Sequence, residues 1–194
     1  MTAPSIARVW GSTPAERARP FPCDRHQPGA GDAVFRAVDV DAPPAVIFRW
    51  LCQLRAAPYS YDWIDNGGRR SPTTLTPGLD DLRVGQRLMG LFEIVEFERD
   101  RHLTLLLETP GVGVLLGRMA VTYLVVPRSG GGSRLLVKIA AAYPPGPLGW
   151  LFRWIMPWAD LIMMRRQLLN LKQLAEFSPA RTAVTPAYPA APAP

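Results

Sequence analysis

Seventeen consecutive residues near the C-terminus, Leu148–Met164, include only two charged side chains, Arg153 and Asp160. At helical spacing three stripes of that segment are apolar: Leu151/Ile155/Ile162, Phe152/Met156/Met163 and Trp150/Trp154/Trp158/Leu161. A helix that is apolar on every side has to be enclosed by protein or meet lipid, ligand or another subunit. Beyond it Leu168, Leu171 and Ala175 recur at three- and four-residue steps, so the spacing predicts one long helical element over 147–177. Pro157 lacks an N–H and predicts a kink or break within it. Arg153, Pro157 and Asp160 sit near the middle, and each charge costs about 2.5–3.5 kcal/mol on insertion scales, which argues against a transmembrane helix. Enclosure as core is the expectation. Docking on a membrane surface or a partner through Trp150–Trp158 is the alternative, because three tryptophans with Arg153, Arg165 and Arg166 are what an interfacial helix would use.

The upstream elements are those that could do the enclosing. Residues 33–41 place Val34, Val38 and Val40 at alternating positions and predict a strand. Asp41 then offers an N-cap and Pro43-Pro44 a tolerant first turn, ahead of Val46, Ile47, Trp50, Leu51 and Leu54 on one helical face. Residues 55–81, rich in Pro, Gly and Asp, predict irregular chain with a short helical turn at 61–66. Four strand segments follow, 86–99 (in two pieces around Gly90), 102–109, 118–127 and 133–143, with a flexible hairpin loop at Ser129–Gly132. In the last, Leu135, Val137 and Ile139 share one face and Arg134, Leu136 and Lys138 the other, which predicts an antiparallel sheet wet on one side. The fold class is α+β, with the C-terminal helix as the large apolar element left to cover the sheet.

Charge and cysteine content narrow the function. The net charge is +6, yet residues 32–177 carry 17 basic and 14 acidic groups. A dispersed excess that small is not the clustered basic stripe of a nucleic-acid binder, and no nucleic-acid partner is expected. Two histidines and two cysteines lack metal-ligand spacing. Gly111-Val112-Gly113 and Gly130–Gly132 lack the strand-Gly-helix context of a phosphate loop, so neither metal nor cofactor is expected. Cys23 and Cys52 read as free thiols. Residues 1–22 hold no long apolar run, which predicts a cytoplasmic location, membrane-associated under the alternative above. Of 21 prolines, five lie in 1–31 and five in 178–194. That divides the chain into a Pro-rich flexible segment 1–31, a folded domain 32–177 and a disordered Ala/Pro-rich tail 178–194.

Four strings look familiar together: the strand-to-helix entry FRAVDVDAPPAVIFRWLCQL, then YSYDWIDNGGRRSP, the LRVGQRL lead into the sheet, and the closing helix ending RRQLLNLKQLAEF. Over residues 33–177 they resemble the SRPBCC superfamily, the START-type and polyketide cyclase/dehydrase-like proteins. The resemblance implies a helix-grip fold, in which a curved antiparallel sheet wraps around a long C-terminal α-helix with an apolar cavity between them. It also implies binding or carriage of a lipid-like or polyketide-like hydrophobic molecule, with a minority of members catalysing cyclisation or dehydration. The YSYDWIDN string looks characteristic of one bacterial subgroup of unassigned activity.

Candidate site residues follow from two patterns. Tyr59, Tyr61 and Trp63 alternate with polar groups on a Gly/Pro-bounded loop, and aromatic rings with polar tips suit a small-molecule site; the same rings could equally plug one end of the sheet. Leu103, Leu105, Leu107 and Tyr123 from the sheet, with Trp154 and Met163 from the helix, would line the cavity. If the protein is instead a cyclase or dehydratase, Tyr61, Asp62 and Arg70 are the candidates for moving protons. Glu93, Glu96 and Glu98 offer a further carboxylate, with Glu96 and Glu98 on one strand face and Glu93 on the other. His26 and His102 lie in segments that suggest no nucleophile–base pair.

Overall fold

The structure is a computed structural model, describing residues 4–107 and 117–178. Three one-turn helices come first, α1 (Ile6–Val9), α2 (Pro14–Arg17) and α3 (Cys23–His26). Strand β1 (Asp32–Val40) leads directly into α4 (Pro44–Cys52), a 3-10 turn at Gln53–Arg55 and the short α5 (Asp62–Asp65). Then come β2 (Arg87–Leu88), β3 (Phe92–Glu98), β4 (His102–Leu107), β5 (Arg118–Pro127), β6 (Ser133–Ala142) and the 30-residue α6 (Pro147–Glu176). All six strands form one sheet in the order β1-β6-β5-β4-β3-β2, antiparallel at every pairing. The α+β class and the covering C-terminal helix are as the sequence predicts. The tail from residue 179 on, expected to be disordered, lies outside the described residues.

Alternation sorts the sheet into two faces. Leu103, Leu105, Tyr123, Leu135 and Val137 face inward, where they meet Leu168, Leu171 and Ala175 of α6 and Ile47, Trp50 and Leu51 of α4. The α4 sequence packs this way because its apolar residues recur at three- and four-residue steps, and Pro44 at its start gives up only an N–H that the first turn does not use. The register of β3 slips between Ile94 and Glu96, so Val95 is an extra residue. That bulge turns Glu93 onto the same face as Glu96 and Glu98, opposite Leu106, Thr104 and His102. Strict alternation had set Glu93 apart.

Two expectations are corrected. Residues 4–31 are not a loose leader: Phe21 and Cys23 are buried on the outer sheet face against Ala37, Ala120, Leu136 and Ala140. The outer face is therefore dry over its centre. Short helices pack here because the outer residues are small or apolar and because polar anchors surround them. Cys23 N donates to Thr122 Oγ1 at 2.9 Å, Arg134 pairs with Glu16 at 2.8 Å, and Lys138 pairs with Asp24 at 2.6 Å. The segment also caps the exposed edge of β1, where Ala37 N donates to Trp10 O at 3.1 Å. Gly11 follows at φ 74°, and a side chain there would meet Ala37 O at 2.1 Å, so only glycine permits that approach.

The second correction concerns Leu148–Met164. Among residues 148–163 only Gly149 and Pro157 are buried. The first half of α6 touches protein along one narrow line, against α1 and β1, and the rest of its apolar surface is open. No break occurs at Pro157, since α6 is one continuous helix. The carbonyl of Arg153, which the missing proline N–H would leave without a helical donor, accepts from the Arg8 guanidinium at 2.9 Å.

Candidate ligand-binding groove

The loop that follows α4 is pinned to α6 from beneath. Gln167, 3% exposed, donates through Nε2 to Pro58 O at 2.6 Å and accepts at Oε1 from the Tyr123 hydroxyl at 2.7 Å. Asn170 Nδ2 donates to Tyr59 O at 2.9 Å. Held at both ends, Tyr59 adopts φ 58°, a left-handed conformation uncommon for a residue with a bulky side chain.

This pinned loop is a partition. On one side, Pro58, Ser60, Tyr123, Met163 and Met164 surround an inner cavity of about 150 Å³ between sheet and α6. On the other lies a groove of about 640 Å³. Trp50 and Tyr59 form its floor, their rings 6.1 Å apart and edge-to-face. The segment Ser71–Leu75 makes one wall, and Asn170, Gln173, Leu174 and Phe177 at the C-terminal end of α6 make the other. The cavity expected between sheet and helix is small because Leu103, Leu105 and Tyr123 fill that space as fully buried core. The larger volume lies outside it, against α4.

Two polar atoms of the floor, Trp50 Nε1 and Tyr59 Oη, are buried and have no hydrogen-bond partner among the described residues. Both residues are only 1% exposed. Burial, and secondarily the negative charge of Asp62, pushes the Tyr59 hydroxyl up to about 12, so it remains a donor throughout the neutral range. Asp62 stands at the rim. Burial raises its carboxyl, but hydrogen bonds from Ser71 outweigh that and bring it below the usual carboxylate range. Ser71 N donates to Oδ2 at 2.9 Å and Ser71 Oγ to Oδ1 at 2.6 Å, so this carboxylate closes a loop and is a weak base at neutral pH.

The other expected residues scatter. Tyr61 is half-buried beside the groove, Trp63 is 75% exposed, and Arg70 is exposed. Leu103 and Leu105 are core, Leu107 is half-buried at the end of β4, and Tyr123 and Met163 line the inner cavity. Trp154 faces outward, 65% exposed, at the other end of α6. Glu96 does not enter a cavity; it lies on the outer face between both histidines, 2.8 Å from His26 and 3.2 Å from His102, with Arg25 alongside. Burial raises its carboxyl, but the contact with His26, the charge of Arg25 and the nearness of His102 outweigh that and hold it below the usual range, the opposite of a raised general base. The groove residues that the sequence reading missed are Trp50, Ser71–Leu75 and the last turns of α6. Trp50 had read as helix core, and the pairing of residues 71–75 with 170–178 is a long-range contact without a local pattern.

The path of the chain decides the architecture: strand, short helices, a five-strand antiparallel meander, and a long helix lying back across the sheet. The fold is the helix-grip fold. No protein-family model matches the chain, and no curated protein sequence matches it. Solved structures do resemble the chain. A hypothetical protein of Helicobacter pylori is 17% identical with a TM-score of 0.50, over 81% of this chain and 96% of that one. The Zhui aromatase/cyclase of a Streptomyces is 13% identical with a TM-score of 0.48, over 75% and 93%. Norcoclaurine synthase of Thalictrum flavum, solved with a transition-state analogue, is 12% identical with a TM-score of 0.47, over 74% and 93%. At 17% identity the likeness to the Helicobacter pylori structure is one of fold alone. Among the described residues no helix is long and apolar enough to cross a membrane.

Proposed function

We propose that the protein binds a hydrophobic small molecule in the groove over Trp50 and Tyr59, with no catalysis required. The observation that carries this reading is a recess of about 640 Å³ with apolar walls, over two residues, Trp50 and Tyr59, whose buried donors have no partner among the described residues. An unpaired buried polar group costs about 1–3 kcal/mol, and a ligand whose entry shifts the rings far enough to reach one with an acceptor would relieve it. A flat or elongated apolar body carrying one or two polar groups fits such a site: the rings of Trp50, Tyr59 and Phe177 with Leu75 and Leu174 take the body, and Thr73, Thr74, Asn170 and Gln173 of the walls offer the polar contacts. The volume is in the range of pockets that hold drug-sized molecules, whereas the inner cavity of 150 Å³ is below it.

Native mass spectrometry of gently purified protein, followed by solvent extraction, tests the proposal. The expected result is a stoichiometric apolar mass that is lost in Leu174→Arg, a half-buried wall position at the margin of the core, in protein whose melting curve shows it folded. Absence of any bound mass, together with no saturable uptake of a fluorescent fatty acid by the folded protein, overturns it.

A further inference from the structure

The open half of α6 has a composition that the groove does not explain. Trp150, Trp154 and Trp158 are 64%, 65% and 51% exposed, and Leu151, Ile155 and Ile162 are 43%, 46% and 57% exposed. At about 100° per residue these six side chains fall on one arc of roughly 140°. From Trp150 to Ile162 the ridge runs about 18 Å at 1.5 Å per residue. Six large apolar side chains exposed together on one helix face, rimmed by charged residues, mark an interaction surface.

Its charges identify the partner. The only acidic residue of α6 before Glu176 is Asp160, which lies off this arc and is bound at 2.7 Å by the buried Arg36. The exposed cations are Arg153, Arg165 and Arg166. Beneath the tryptophans is a recess of about 450 Å³, lined by Trp150, Trp154, Trp158, Arg8 and Arg153 together with Asp32. There two guanidinium groups face one carboxylate: Arg8 pairs with Asp32, and Arg153 Nε stands 3.7 Å from it. One positive charge is left uncompensated among indole rings.

We infer that this face docks on an anionic phospholipid bilayer, with α6 lying in the plane of the interface. The indoles enter the headgroup boundary, Leu151, Ile155 and Ile162 reach the acyl region, and Arg153, Arg165 and Arg166 meet lipid phosphates. A second copy fits less well. An isologous contact through this ridge would set the arginines of one chain against those of the other with no acid on the arc to neutralise them. The inference does not depend on the groove, which lies at the opposite end of α6.

Flotation with phosphatidylcholine vesicles, with and without phosphatidylglycerol, is the test. The expected result is that the full chain floats with the anionic vesicles, with a blue shift of tryptophan emission, and binds them at least about tenfold more tightly than neutral ones at low salt. Trp154→Asp and Ile155→Asp change exposed side chains, so each variant should keep the wild-type melting temperature and fatty-acid uptake while losing vesicle binding at least about tenfold. Three results overturn the inference: a folded wild-type protein that stays unbound with both vesicle types, variants that bind as well as wild type, or a dimer in solution that Trp154→Asp dissociates and that binds no lipid. Loss of fatty-acid uptake with vesicle binding retained would count against the groove alone.

Discussion

The hydroxyl of Tyr123 donates to Oε1 of Gln167 across 2.7 Å, in a site where both side chains are buried. Gln167 spends its amide nitrogen on Pro58 O, so one glutamine ties the sheet, α6 and the loop that divides inner cavity from groove. Burial raises the Tyr123 hydroxyl above its ordinary value, and it stays protonated as a donor. Gln167→Leu should leave the Pro58 carbonyl without this donor and the Tyr123 hydroxyl with only the weak acceptor Met164 Sδ at 3.8 Å, and destabilise the protein by about 2–4 kcal/mol. Tyr123→Phe should cost about 1 kcal/mol, since only Oε1 loses its donor. Urea denaturation measures both. The loop comparison is hydrogen exchange at residues 59–66, which should accelerate in Gln167→Leu and hardly change in Tyr123→Phe.

A pH dependence follows from Asp160. Burial pushes its carboxyl from 3.8 up to about 6, with the adjacent Arg36 opposing the rise. Arg36 is fully buried, and desolvation lowers its own value even as Asp160 opposes that change. An acid whose pKa is higher in the folded state holds its proton preferentially there, so its contribution is present below 3.8 and is lost as pH rises to about 6. Glu16, Asp62 and Glu96 are lowered and act the other way, losing their contribution as pH falls below the ordinary carboxylate range. Stability of wild type relative to Asp160→Asn should therefore fall by about 2 kcal/mol between pH 4 and 6 and stay flat from about 6.5 to 8. Thermal melts of the two proteins across that range check it. A difference that rises from pH 4 to 6 would mean that Arg36 dominates and Asp160 titrates low.

The two cysteines should be inert until the protein opens. Burial pushes the Cys23 thiol up to about 11 and Cys52 up to about 12, so neither has appreciable thiolate at neutral pH. Iodoacetamide should label neither in the native state. Phe21→Ala should cost about 3 kcal/mol by opening a cavity among Phe35, Ala37 and Leu136, and it should make Cys23 reactive well before Cys52. Equal labelling rates for the two would show that the N-terminal segment does not open as a separate unit.

That segment shows why some of the fold was legible and some was not. Strands β1, β4, β5 and β6 and the helices α4 and α6 are local periodicities, and each lies where alternation or helical spacing puts it. The packing of Phe21 onto Ala120 and Ala140 is a contact across about a hundred residues, and five prolines make its one-turn helices read as loose chain. A single extra residue at Val95 reverses the face assignment of Glu93, as bulges do. Of the Tyr59–Asn66 string, Tyr59 and Asp62 line the groove, whereas Trp63 points to solvent. Trp50 had the signature of core and is core, but it is also floor; no one-dimensional pattern distinguishes a buried ring with a packed edge from one with an open edge. The apolar excess of Leu148–Met164 is plain in the sequence, and enclosure does not follow from it because the sheet ends at β1 and nothing among the described residues covers the far side of the helix.

Tyr59 separates a structural from a binding role by its hydroxyl alone. In the free protein Oη is buried and without a partner among the described residues, so Tyr59→Phe removes an unsatisfied donor and should leave stability unchanged or raise it by up to about 1 kcal/mol. With a ligand whose entry opens Oη and whose oxygen then accepts from it, the same change should weaken binding about tenfold. Tyr59→Gly is the counterpart: it relieves the left-handed backbone at φ 58° by about 1 kcal/mol, yet removes a ring packed edge-to-face on Trp50, for a net loss of about 2 kcal/mol or more. Melting temperatures and fatty-acid titrations of the three proteins decide the matter. If Tyr59→Phe lowers the melting temperature while the affinity stays the same, the hydroxyl serves the fold through a bond that forms in solution, and the groove does not select its ligand through that donor.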